Sequence, residues 1–287
     1  MPNRSFILNF LQPLPLYKTE RPFLANVSPE VGFNPKIHTN IQVEQCQVDV
    51  TDIRPRISDF KLEKCGFQVT KHETVVSVFD TNESMERYRR ESEQLLTKIF
   101  GAVKVRTWDS QLRINAPVED GVFDMTDPLA WDKPARSVHN DYTWTSGPIT
   151  MKERLTEEER AEYLRPGLRY RMINTWRTLV PNLQNSPLAM MDFCSLHPDD
   201  LEVSDRVRPN GSGELFHVYH NPKQKWYWLD SMMSDELLVF VTYDSKAGDH
   251  ARICPHAAAE PIPGEEYLQS SPARRSIETR SIVITRC

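Results

Sequence analysis

From Tyr170 to Thr285 the chain divides into short runs of β-branched, aliphatic and aromatic residues separated by Pro, Asn, Asp and Gly, and this restricts its fold more than any other feature. The runs are Tyr170–Leu179, Leu188–Phe193, Glu214–Tyr219, Trp226–Leu229, Leu237–Tyr243, Ala251–Cys254 and Ile277–Thr285. Seven short strands at such close intervals build a sandwich or a barrel. Asn221-Pro222-Lys223-Gln224 reads as a hairpin turn between two of them.

The first half is less regular. Residues 1–45 are rich in Pro and Asn without a sustained period and read as an irregular arm. Val48–Ile53, Gly66–Val69 and Val103–Trp108 suggest strands, and Asp80 with Glu83 resembles a capping box. Met85, Tyr88, Leu95, Leu96, Ile99 and Phe100 follow at helical spacing and stop at Gly101, which predicts a helix over 82–100. Thr156 with Glu159 opens a second, polar helix, either a solvated face or a lid. We expect one domain over 1–287, with the arm at 1–45, an α/β layer at 46–135 and the β core at 136–287. With 39% hydrophobic residues among 287, a single large core is within reach.

Charge and cysteine usage narrow the function classes. A net charge of −5 argues against a nucleic-acid or membrane-surface partner, which calls for a basic face. Five scattered cysteines, with no C-x-x-C pair, fit a reduced, cytoplasmic protein. No stretch approaches membrane-spanning length.

Chemistry enters at Val138-His139-Asn140-Asp141-Tyr142-Thr143. On extended chain His139 and Asp141 share a face and offer one imidazole nitrogen and one carboxylate oxygen to one point. That is most of the 2-His-1-carboxylate triad, which binds Fe(II) and leaves positions open for O2 and a co-substrate. A second His-x-Asp, His197-Pro198-Asp199, sits at a turn and reads as capping. Among His197, His217, His220, His250 and His256, the sequence beyond His256 favours it as the third ligand. There Arg274, Ser276, Glu278 and Arg280 fall on one strand face. An arginine fork suits the far carboxylate of 2-oxoglutarate. Arg274 and Arg280 lie roughly 20 Å apart along a strand, so one alone can serve. Arg274 with Ser276 is the first choice, and Arg280 then approaches the near carboxylate or braces Asp141. The alternative for the whole stretch is a surface strand on which Glu278 neutralises both arginines. Asn174 is placed to hydrogen-bond 2-oxoglutarate or substrate, or is a satisfied strand-end amide.

At these residues the chain resembles the AsaB-type, CmcJ-like hydroxylase/desaturase family of secondary metabolism. The likeness runs through Asp52-Ile53-Arg54, Gly66-Phe67, Val138–Tyr142, Ile173-Asn174-Thr175-Trp176-Arg177, Ser186-Pro187-Leu188-Ala189, Trp226-Tyr227, Pro255-His256 and Arg274-x-Ser276-Ile277-Glu278-x-Arg280. The chain departs from the family pattern at Arg275, where an acidic residue is usual, and at Thr178, where proline is. The resemblance implies a β-rich α+β fold: a double-stranded β-helix (jelly-roll, cupin-like) core with an N-terminal helical layer. It also implies iron on His139, Asp141 and His256, with 2-oxoglutarate and O2 as co-substrates. A small natural-product intermediate would be hydroxylated, desaturated or cyclised through a ferryl species. The competing expectations are an inactive cupin-like binding protein and a non-haem iron oxidase that needs no 2-oxoglutarate. The sequence says nothing about oligomeric state.

Overall fold

The computed structural model describes residues 3–25, 39–117, 127–208, 211–265 and 272–287. The first half forms β1 (Asn3–Leu11), β2 (Phe23–Ala25), β3 (Val43–Asp52), α1 (Leu62–Cys65), β4 (Phe67–Lys71), α2 (Asn82–Phe100), β5 (Lys104–Ile114), β6 (Trp131–Asp132) and β7 (His139–Asn140). Then come α3 (Ser146–Arg154), α4 (Glu157–Tyr163), β8 (Leu168–Thr178), β9 (Leu188–Met191), β10 (Leu201–Arg208) and β11 (Gly211–Val218). The chain closes with β12 (Trp226–Trp228), β13 (Glu236–Asp244), β14 (His256–Ala258), β15 (Glu260–Pro261) and β16 (Arg275–Arg286).

Two sheets result. One has the order β4-β13-β8-β16-β5-β6, the other β15-β1-β3-β12-β9-β14-β7-β11-β10-β2. Strands β5, β8, β13 and β16 belong to the first, and β7, β9, β12 and β14 to the second. The chain therefore alternates between the two sheets, the winding of a jelly roll. The β10–β11 hairpin extends the second sheet past β7, and β1–β3 extends it past β12.

The period of two along β8 shows how the first sheet separates its faces. Ile173 packs with Leu96 and Val283, and Arg177 reaches Tyr88 of α2. Met172, Asn174 and Trp176 point the other way, into the roll. Both faces are buried, which is why the aliphatic pattern of β16 looks imperfect in sequence: Ile277 and Val283 face α2, while Ile282 and Ile284 face inward.

Helix α2 closes the outer face. Thr81 accepts from Ser84 N, and Ser84 Oγ accepts from Thr81 N. The capping box is thus Thr81 with Ser84, one residue later than the sequence suggested. Gly101, at φ 58°, supplies the left-handed C-cap. Met85, Tyr88, Ser92 and Leu96 form the buried stripe, and full burial of a side chain such as Leu96 contributes about 1.5–3 kcal/mol. The box at Thr156 and Glu159 forms as expected, and α4 buries no residue, so its charged face is solvated.

Four expectations are corrected. The irregular arm contains β1, paired with β3 over its whole length and burying Phe6, Leu8 and Phe10. That alternation was present in the sequence, but its partner lies beyond five prolines and a long connection. Strand β5, assigned to the N-terminal layer, is a core strand beside β16. The turn at Asn221–Gln224 exists, with Gln224 N donating to Asn221 O, yet its flanking strands pair elsewhere, so it closes no hairpin. Finally, the strand placed at Ala251–Cys254 is His256–Ala258 instead. The small side chains of Ala257 and Ala258, both buried, let β9 and β7 pack against it.

Candidate active site

Strand β14 lies between β9 and β7, and His256 is in register with His139. Paired residues of antiparallel strands share a face, so both imidazoles enter the roll together. Their ring centroids stand 4.5 Å apart, tilted by 53°. Asp141 follows His139 by two, with Oδ1 3.5 Å from His139 Nε2. One donor atom from each of His139, Asp141 and His256 lies within 4.8 Å of the other two.

Each ring is oriented from behind. His139 Nδ1 is 2.7 Å from Ser137 O, and His256 Nδ1 is 3.0 Å from Cys254 O. An N–H donated to each carbonyl leaves the Nε2 lone pairs free to face one another. Burial, with the nearby His139 charge, pushes His256 down to about 3, so it is neutral and ready to ligate.

The second oxygen of Asp141 is held by the protein. Asn174 Nδ2 donates to Oδ2 at 2.7 Å and Arg280 Nε at 3.2 Å. Burial alone would raise this carboxyl; the Arg280 guanidinium and both imidazoles outweigh it and keep it well below the usual range. Arg280 also binds Asp109 at 2.7 Å and Glu278 at 2.6 Å. The bracing alternative is therefore the contact observed for Arg280. A β-bulge makes it possible: Arg280 pairs with Asp109 and Ser281 with Thr107, so Trp108 is the extra residue. Without it Thr107 and Asp109 would share a face; with it Thr107 bonds Ser281 outside while Asp109 meets Arg280 inside.

Arg274 is 1% exposed, and no carboxylate of the described residues lies within ion-pair distance of it. It rests 4.9 Å over Trp176, donates Nε–H to Ser276 Oγ at 3.1 Å and Nη1–H to Ser186 O at 2.9 Å. Burial, reinforced by Arg113, pulls it from 12.5 to about 9, the mark of a cation short of an anion. Two buried polar atoms beside it, Trp176 Nε1 and Ser186 Oγ, lack partners among the described residues, as does Asn174 Oδ1 beside Asp141. Ser186 also has φ 51°, uncommon outside glycine and frequent at ligand sites. Unsatisfied groups of this kind cost about 1–3 kcal/mol each until a ligand meets them. A dicarboxylate anchored on iron fits this combination of two imidazoles, one carboxylate, a buried guanidinium without an acidic partner among the described residues, and unpartnered polar atoms.

A family profile described as an oxidoreductase/YMDC permease-like domain matches residues 8–284. The hydroxylase/desaturase efuI of Hormonema carpetanum is 33% identical over 266 residues, 85% of each chain. The chain belongs to this oxidoreductase family. Within it, the alpha-ketoglutarate-dependent dioxygenase tstK of Talaromyces stipitatus is 27% identical over 285 residues, 93% of this chain and 98% of that one. The solved structure of the iron and alpha-ketoglutarate-dependent endoperoxidase NvfI, at 24% identity, has the same fold, with a TM-score of 0.81 over 99% of both chains. The resemblance read from the sequence and the jelly-roll fold it implied are thereby shown. Despite the word permease in the profile's description, no helix among the described residues is long and apolar enough to cross a membrane.

The remaining histidines, arginines and tryptophans divide clearly. His197 accepts from Asp199 N through Nδ1, so it caps, as expected. His220 packs edge-on against Phe10, and His250 is exposed near Glu63. Arg113 pairs with Asp132 and Arg136 with Glu260. Arg177 is 1% exposed and bonded to Tyr88, His72 and Ser234. Trp226 and Trp228 are core, Trp176 lies under Arg274, and Trp144 is exposed beneath Arg252. Two features went unread: the Trp108 bulge, and the register that sets His217, weighed above as a third ligand, beside His139.

Proposed function

We propose that this protein is an Fe(II)- and 2-oxoglutarate-dependent oxygenase that oxidises a small organic molecule, with the whole chain acting as one oxygenase unit. One observation carries the reading: His139, Asp141 and His256 converge on one point, and the strand that supplies Arg280 to Asp141 also carries Arg274, a buried arginine with no acidic side chain within ion-pair distance among the described residues. His139 and His256 hold iron through Nε2, with their Nδ1–H groups fixed on Ser137 and Cys254 carbonyls. Asp141 offers Oδ1 because Asn174 and Arg280 occupy Oδ2. Bound iron with 2-oxoglutarate and O2 supplies the oxidising power to abstract hydrogen from an unactivated carbon.

Arg274 and Ser276 take the far carboxylate of 2-oxoglutarate, and the indole N–H of Trp176 and the hydroxyl of Ser186 complete its hydrogen bonds. Phe240, buried with its ring 4.7 Å from that of His256, sets an apolar surface beside the cluster. Hydroxylation, desaturation and ring closure share this arrangement and differ in where the substrate carbon is held. An iron oxidase without 2-oxoglutarate would leave Arg274 buried for no purpose. All five cysteines are free, consistent with action in the cytoplasm.

Anaerobic titration tests the reading. Protein loaded with Fe(II) should develop the metal-to-ligand absorption of a chelated 2-oxoacid when 2-oxoglutarate is added, and succinate should appear once air is admitted. A His256→Ala protein that binds iron as well as the parent would refute it.

A further inference from the structure

A third imidazole stands in the same row as the two metal-facing ones. In the order β14-β7-β11, His139 is in register with His256 on one side and with His217 on the other. His217 therefore shares the inward face with His139. It does not belong to the converging group, which among the described residues is His139, Asp141 and His256.

Its hydrogen bonding decides which nitrogen carries the proton. His217 Nδ1 is 2.8 Å from Ser204 Oγ, and both residues are buried. The Ser204 hydroxyl has no other acceptor among the described residues, so it donates to Nδ1 and leaves the ring proton on Nε2. That N–H has no partner among the described residues either. Arg274, by contrast, reaches Ser186 at the start of β9, which lies beyond β14 on the opposite side of β7. The co-substrate anchor and His217 thus flank the metal-facing cluster from opposite sides.

We propose that His217 anchors the primary substrate, donating its Nε2–H to a carbonyl or hydroxyl oxygen of an oxygenated molecule held on the β11 flank. The proposal rests on the oxygenase reading above and adds the substrate class to it: a carbon skeleton bearing an oxygen acceptor near the carbon to be oxidised. Ser204 is a positioning residue that fixes the tautomer.

The test uses protein with zinc in place of iron, 2-oxoglutarate bound and histidine 15N-labelled, probed with cyclohexanone and its isostere methylenecyclohexane. Long-range 15N–1H spectra should show His217 protonated on Nε2, and Nε2 should shift with the ketone and not with the alkene. His217→Leu should reduce the preference for the ketone about five- to tenfold, the effect of one lost hydrogen bond. His217→Gln, which retains a donor, should recover most of it, and Ser204→Ala should leave a mixture of tautomers. A proton on Nδ1, equal responses to the two probes, or a full preference in His217→Leu overturns the proposal while leaving the oxygenase reading intact. Failure of zinc or 2-oxoglutarate to bind overturns both, and the tautomer can be read in metal-free protein in any case.

Discussion

Arg274 makes the ligand-free protein less stable than it would otherwise be, and the size of the effect follows from its surroundings. Burial carries its pKa from 12.5 to about 9, which at about 1.4 kcal/mol per tenfold is roughly 5 kcal/mol against the charged form in the fold. Arg274→Met removes that penalty and retains most of the contact with Trp176. It leaves Ser186 O without a donor, at about 1–3 kcal/mol, and a small void worth about 1 kcal/mol. The variant should therefore be more stable than the parent by about 1–3 kcal/mol in urea denaturation of zinc-loaded protein without 2-oxoglutarate. With 2-oxoglutarate at a hundred times its Kd the parent should gain about 2.7 kcal/mol and the variant nothing. The two curves should thus converge or cross when ligand is added. A variant less stable than the parent in the absence of ligand, or equal stabilisation of both by 2-oxoglutarate, would refute the view of Arg274 as a cation waiting for an anion.

Asn174→Ala frees Asp141 Oδ2 from one of its two donors and should weaken Fe(II) affinity about 10–100-fold, measured by competition with a chelating dye; unchanged affinity would count against its bracing role. Metal-free protein should lose stability in acid. Burial holds His256 and His217 near 3 against 6.5 in the unfolded chain, so between those values the unfolded state binds more protons and stability falls with pH. Each should cost roughly 2 kcal/mol at pH 5 relative to pH 7.5 in guanidinium titrations, and a combined loss under about 1 kcal/mol would contradict the burial of these rings. Gly147→Ala places a methyl 2.5 Å from the Tyr243 ring and should destabilise by about 1–3 kcal/mol, seen as a lower urea midpoint.

Much of the site could be read in advance because its donors obey local rules. His139 and Asp141 converge through the alternation of an extended chain, and Arg274 and Ser276 meet through the same period on β16. Helix α2 was legible from Met85 to Phe100 because its stripe, cap and terminal glycine all fall within one short window. The features that escaped depend on distant partners. Strand β1 looked like loose arm because β3, which pairs with it, follows a long connection. The inward turn of Asp109 depends on one extra residue, Trp108, relative to β16, and no pattern within β5 reveals that.

What the amino-acid order determined was therefore the set of groups available: a His-x-Asp, a later histidine followed by alanines, and an arginine with serine two residues on. Which histidine completed the cluster, which arginine braced Asp141 and which stayed unpaired, and that His217 stood beside His139, were decided by strand order and register. The reason is physical. Alternation specifies only which face a side chain takes on its own strand, whereas convergence at a point depends on which strands become neighbours and how they slide against one another, and that is settled when the two sheets bury their shared interior.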